Sequence, residues 1–245
     1  MRTIRGLLMA ALCAATPAGL AAQQAEVRTR LEARGLPADL VQSVTEVAAA
    51  ADAQGLPAVA IVDKAIEGWA KRVPAPRVVA AVRQYAARLG EGRDAVGAAG
   101  LARPPEAVVI AAAEALGRGI GAEQVGQIVR AAGEPAALAP GLVVAAALAA
   151  QGLGGERAVG VVVEAMRAGR PVDELLDLPS VAREMQLRGM NAAEIGRRMM
   201  RGGGPGATRP GGAAGGAGPR PPGMPGGLPG QGTKQPGGRR PPGGA

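Results

Sequence analysis

Apolar positions between Leu36 and Met190 recur with helical spacing, and the helices they define recur in turn. Leu40, Val44 and Val47 fall on one helical face, as do Ile61, Ala65 and Trp69, then Val78, Val82, Tyr85 and Leu89, and later Val159, Val162, Val163 and Met166. No segment alternates cleanly between apolar and polar residues, so the pattern predicts no sheet. Each apolar stretch is preceded by a similar phrase, an apolar residue followed by Pro, Gly or another turn former. The phrase places helix starts at Leu36-Pro37, Leu56-Pro57, Val73-Pro74, Arg103-Pro104, Ile120-Gly121, Ala139-Pro140, Leu153-Gly154, Arg170-Pro171 and Met190-Asn191.

Start and stop chemistry agree with this reading. Proline suits the first helical position, where its missing N–H would have no partner anyway. Asp39, Glu106, Glu123, Glu156, Asp173 and Glu194 fall in or near first turns, where a carboxylate meets the positive end of the helix dipole. Asn191 with Glu194 has the spacing of a capping box. Gly35, Gly55, Gly119, Gly133, Gly152, Gly169 and Gly189 are placed to close the preceding helices in the left-handed conformation. The interval between Val73 and Arg103 is longer than the others. It predicts one extended helix to about Leu89 and then a short helical or irregular segment from Gly92 to Gly100.

Two successive helices make a unit of about 35 residues, the period of helical-hairpin solenoids. The expected fold is therefore all-α, an irregular solenoid-like stack of about nine or ten short helices, with a compact helical bundle as the alternative. The run Gly55-Leu56-Pro57-Ala58, continued by Val62, Lys64, Ala65, Glu67, Gly68, Ala70, Lys71 and Val73-Pro74, resembles helical repeats of uncharacterised secreted bacterial proteins. This resemblance covers about a third of the helical body, is architectural, and implies no activity. Alanine dominates the apolar positions. A buried methyl gives far less than the ~1.5–3 kcal/mol of a buried Leu, Ile or Val, so the helices must approach closely. Trp69 and Tyr85, the two aromatic residues, lie on apolar faces and are expected to anchor the core.

The ends of the chain differ from this body. Arg2 and Arg5, the apolar run from Leu7 to Ala15 and the small residues up to Ala22 form a secretory signal peptide, with cleavage expected after Ala21 or Ala22. The apolar run is well short of the roughly 20 residues that a membrane-spanning helix needs. Export to the periplasm or the extracellular space follows, and the mature chain then carries no cysteine. From residue 202 to 245, 28 of 44 residues are Gly or Pro. Such a segment cannot bury enough apolar surface to offset the entropy of ordering, so it reads as a disordered tail. The organisation is thus a signal peptide over 1–22, a helical-repeat domain over 23–201 and a basic tail over 202–245.

Charge and chemistry narrow the function. The net charge of +8 suggests nucleic-acid binding until it is divided. Arg2 and Arg5 leave with the signal, and Arg209, Arg220, Lys234, Arg239 and Arg240 belong to the acid-free tail, so the body carries only +1. No nucleic-acid partner is expected of such a body. The tail cations are candidate contacts for an anionic envelope polymer or lipid. The apolar stretch from Leu138 to Ala150 is broken by Pro140 and Gly141 and reads as a buried helix, so no membrane span is expected in the mature chain.

The whole chain has no histidine, which removes the usual catalytic triads and imidazole metal sites; with no cysteine left after cleavage, thiolate chemistry goes too. Gly117 and Gly119 lack the preceding strand of a phosphate loop and read as a helix stop. No cofactor, metal site or catalytic residue is expected. The leading expectation is a non-enzymatic module that binds another protein, with the tail as tether or spacer. The alternative is a carboxylate-dependent envelope hydrolase using Glu114 with Glu164 or Glu184.

Overall fold

The computed structural model describes residues 17–201 and is all-helical over that range. The expected tail and most of the signal segment lie outside the described residues. Ten α-helices follow in order among the described residues: α1 (Pro17–Glu32), α2 (Ala38–Asp52), α3 (Ala58–Ala70), α4 (Ala75–Ala98), α5 (Glu106–Gly117), α6 (Ala122–Ala131), α7 (Leu138–Leu148), α8 (Gly155–Arg167), α9 (Val172–Leu187) and α10 (Ala192–Met200). A 3₁₀ turn over Pro135–Ala137 leads into α7, and a π-helical turn over Ala149–Leu153 ends it.

The recurring phrase is a helix corner. At the end of α2, Gly55 takes φ +69° and the Leu56 amide donates back to the Ala51 carbonyl at 3.0 Å. The same reach-back joins Leu36 to Leu31, Val73 to Gly68, Leu101 to Val96, Ile120 to Ala115, Arg170 to Ala165 and Met190 to Met185. This is the Schellman arrangement, which satisfies carbonyls that a helix end would leave without partners. Where the next residue is proline, it stands one place earlier than the sequence suggests. Pro37, Pro57, Pro74 and Pro171 are extended residues just before their helices, rather than the first residues within them. At α10 the expected capping box forms, with the Glu194 amide donating to Asn191 Oδ1 at 3.0 Å and the Asn191 amide donating to Glu194 Oε2 at 3.1 Å.

Helices pack in chain order. Each packs on the next, while α2, α4, α6, α8 and α10 form one contacting row and α5, α7 and α9 another, with α1 touching α3. Contacts of this reach define a repeat stack rather than a closed bundle. Two apolar clusters fill it. The first runs from Leu31 to Ala113 and the second from Val96 to Met199. α4 and α5 join them: α4 gives Val78, Val82, Tyr85 and Leu89 to the first cluster and Val96 to the second, and α5 divides Val109 and Ala113 from Val108, Ala111, Ala112 and Ala115.

α4 corrects one expectation. It is helical without a break to Ala98, so no irregular segment occupies 92–98. Gly92, expected to begin a separate segment, instead lies within the helix and lets two helices touch. A Cβ on Gly92 would lie 3.0 Å from the Ala113 nitrogen and 3.2 Å from the Ala112 Cβ. The close approach required by an alanine-rich core is visible at this crossing.

Smaller differences have local causes. α7 starts at Leu138 rather than after Ala139-Pro140, because the 3₁₀ turn at Pro135 has already directed the chain. α6 ends in extended Ala132, and Gly133 does not adopt the left-handed conformation. Pro179 lies inside α9, where it cannot donate to the Leu175 carbonyl. The apolar segment Pro135–Leu153 is long and apolar enough to cross a membrane by composition alone. In this structure α7 packs against α5, α8 and α9 and buries Leu138, Leu142, Val144 and Leu148.

Candidate functional site

A groove opens where α3 and α5 flank α4. Helical spacing puts Val59, Asp63 and Glu67 of α3 along one wall and Glu106, Ile110 and Glu114 of α5 along the other. Pro57, Ala60 and Lys64 also line it, and Tyr85 of α4 is at its floor. Tyr85 is only 4% exposed, and its hydroxyl makes no hydrogen bond to a described residue. The ring therefore anchors the first apolar cluster as expected, and Tyr85 also contributes to the lining of the groove. Val59 is an exposed apolar residue at the rim.

The two walls differ in how their acids are compensated. On α3, Arg30 of α1 reaches Asp63 Oδ1 at 2.6 Å, and Glu67 takes Lys64 at 3.1 Å together with Lys71. Hydrogen bonds from Lys71 and then Lys64 hold the Glu67 carboxyl below its ordinary pKa. On α5, exposed Glu106 and half-buried Glu114 have no ion pair with a described residue. Lys64 also stands 5.7 Å from the centre of the Tyr85 ring, a cation over its π face.

Tyr85 registers this environment. Burial pushes its phenol up to about 12, and Glu114, Asp63 and Glu67 add to the shift, while Arg88 opposes it. The hydroxyl thus remains a donor at every physiological pH. The groove offers two carboxylates without a described ion-pair partner, the Lys64 ammonium and Tyr85 hydroxyl as donors, and an apolar ledge. That combination suits a segment carrying a lysine or arginine beside an apolar residue.

The carboxylates that a hydrolase would require are not gathered. Glu114 lines the groove, but Glu164 pairs with Arg167 at 3.3 Å on α8 and Glu184 pairs with Arg188 on α9; neither lines it. No cluster of three or more potential metal-binding side chains occurs among the described residues. Gly119 adopts φ +83° as a helix stop, and Gly117 lies under the Arg88 guanidinium, which a Cβ there would meet. The tail cations Arg209, Arg220, Lys234, Arg239 and Arg240 lie outside the described residues. Trp69, expected to anchor the core, is half-buried: it packs against the first apolar cluster and also lines a surface crevice with Arg34 and Arg72.

Sequence reasoning did not pair the α5 acids with Tyr85. The available signal was the four-residue spacing of Glu106, Ile110 and Glu114, which matches that of Val59, Asp63 and Glu67. No protein-family model matches this chain, and neither the curated proteins nor the solved structures contain a match to it.

Proposed function

We propose that this chain is an exported, non-enzymatic helical-repeat module that binds another protein through the groove between α3 and α5. The observation that carries this reading is the pair of carboxylates, Glu106 and Glu114, that line the groove beside Tyr85 and have no ion pair with a described residue. The partner segment presents a cation to the α5 wall and an apolar side chain to Val59 and Ile110. Charge complementarity of this kind gives specificity and a fast on-rate more than raw affinity. The signal-like start of the chain supports export. The basic tail acts as a tether or spacer, holding the module near anionic polymers or lipids of the envelope.

The test is fluorescence anisotropy with labelled peptides that alternate Lys or Arg with Leu, and with acidic counterparts. The full chain is expected to bind the basic peptides in a salt-sensitive manner. Reversing charge with Glu106→Lys and Glu114→Lys should weaken binding roughly tenfold or more, while leaving the helical content intact. Equal binding by the reversed variant would refute the assignment of the groove.

A further inference from the structure

A second surface site lies at the corner between α3 and α4. Of the seven corners that share the Schellman reach-back, six place glycine in the left-handed position: Gly35, Gly55, Gly100, Gly119, Gly169 and Gly189. The seventh places Arg72 there, at φ +57°. A side chain in this conformation is strained, and glycine would relieve it. The Val73 amide still reaches the Gly68 carbonyl at 3.1 Å, so the corner keeps its form in spite of the side chain.

The strained residue lines a crevice with Arg34, Trp69, Ala70, Val73 and Pro74. Arg34 comes from the corner between α1 and α2, so two separate turns supply guanidinium groups to one place. Neither arginine is ion-paired with a described residue, although seven ion pairs occur elsewhere in the structure. Among the described residues, no acidic side chain lines the crevice. The polar side-chain groups of its lining residues are two guanidinium forks and the Trp69 indole N–H, all of them donors without acceptor capacity. The other lining residues, Ala70, Val73 and Pro74, are apolar, and Trp69 adds an aromatic ring.

From this chemistry we infer that the Trp69 crevice binds an oxyanion, a phosphate ester or a carboxylate, carried on an apolar or aromatic body. Arg34 and Arg72 hold the anion through charge-assisted hydrogen bonds, and the body lies against Trp69. The site lies apart from the α3–α5 groove and has the opposite charge preference. It does not depend on what the groove binds.

The single tryptophan of the chain makes the test direct. Full-length protein is titrated with phenyl phosphate, phenylacetate, inorganic phosphate and benzyl alcohol while Trp69 fluorescence is followed. A saturable change with at least one aromatic anion, at a dissociation constant of about 1 mM or below, is expected. The tighter of the two assigns the anion as phosphate or carboxylate. Inorganic phosphate should bind more weakly, for want of the body. Arg72→Gly should weaken binding roughly tenfold without lowering the melting temperature, and Arg34→Gln should weaken it while leaving the α3–α4 corner untouched. Benzyl alcohol binding as well as the anions, no saturable change with either aromatic anion, or unchanged affinity in Arg72→Gly and Arg34→Gln would each overturn the proposal.

Discussion

Glycines on one helix should respond oppositely to the same substitution. Gly90, Gly92 and Gly97 all lie within α4, where alanine is intrinsically better than glycine by about 1 kcal/mol. Around Gly90 and Gly97 a new Cβ meets nothing within 4 Å, so Gly90→Ala and Gly97→Ala should each stabilise the protein by about 0.5–1 kcal/mol. At Gly92 the same methyl would lie 3.0 Å from the Ala113 nitrogen, 3.2 Å from the Ala112 Cβ and 3.3 Å from the Ala112 carbonyl carbon. Two of these are backbone atoms, so no side chain can swing aside and α5 itself must shift. Overpacking of this kind costs about 1–3 kcal/mol, which exceeds the propensity gain and leaves Gly92→Ala destabilising by up to ~2 kcal/mol. For a helical body of about 180 residues each kcal/mol moves the melting temperature by about 2–4 °C. Thermal unfolding followed by circular dichroism, with urea unfolding as a check, resolves the difference. If Gly92→Ala stabilises as much as Gly90→Ala, the α4–α5 crossing is not as close as described, and the reasoning fails.

Other expectations follow from the corners, the groove and the tail. Arg72→Gly should raise stability by about 0.5–1 kcal/mol, because relief of the left-handed strain exceeds the added freedom of the unfolded chain; a lower melting temperature would contradict this. With its phenol raised from 10.0 to about 12, Tyr85 contributes stability that is fully present below about pH 10 and is lost as pH rises toward about 12, measurable by urea unfolding at stepped alkaline pH. Glu114→Gln removes a charge that raises this phenol, so the ultraviolet titration of Tyr85 should move to lower pH; an unmoved or higher midpoint would count against the proximity of the two groups. Full-length chain should be retained on anionic vesicles in low salt and released in high salt, whereas a chain ending at Arg201 should pass through; equal retention of the two would remove the tail from membrane attraction.

The fold was legible because its punctuation is chemical. A glycine followed by an apolar residue and a proline marks a corner wherever the left-handed position, the reach-back amide and the extended N-cap are all required. Leu36 and Leu56 are buried at such corners, as is Ile120 where glycine replaces the proline, so one phrase encodes both the turn and a core contact. Reading failed where a glycine has a second use. Gly92 has the composition of a breaker, and only its neighbours Ala112 and Ala113, about 20 positions later, show it to be a contact point. The groove was obscured for the same reason. Glu106 and Glu114 resemble ordinary surface acids until α4 brings Tyr85 between α3 and α5, and nothing local announces that meeting. Arg72 was legible in principle, since it occupies a slot that Gly35 and Gly55 had already defined.

The 24-residue span of α4 has a consequence for how the protein comes apart. In a stack where contacts run mainly to the next helix or the one after it, order propagates between neighbours, and either end can fray without disturbing the other. α4 changes this because it is rooted in both apolar clusters. Unfolding that starts at α1 should proceed through α2 and α3 and then meet a helix whose far end is still held by the second cluster. Amides in α4 and α5 should therefore be the last to exchange with solvent. Through this shared helix, the two halves are expected to melt as a single cooperative unit.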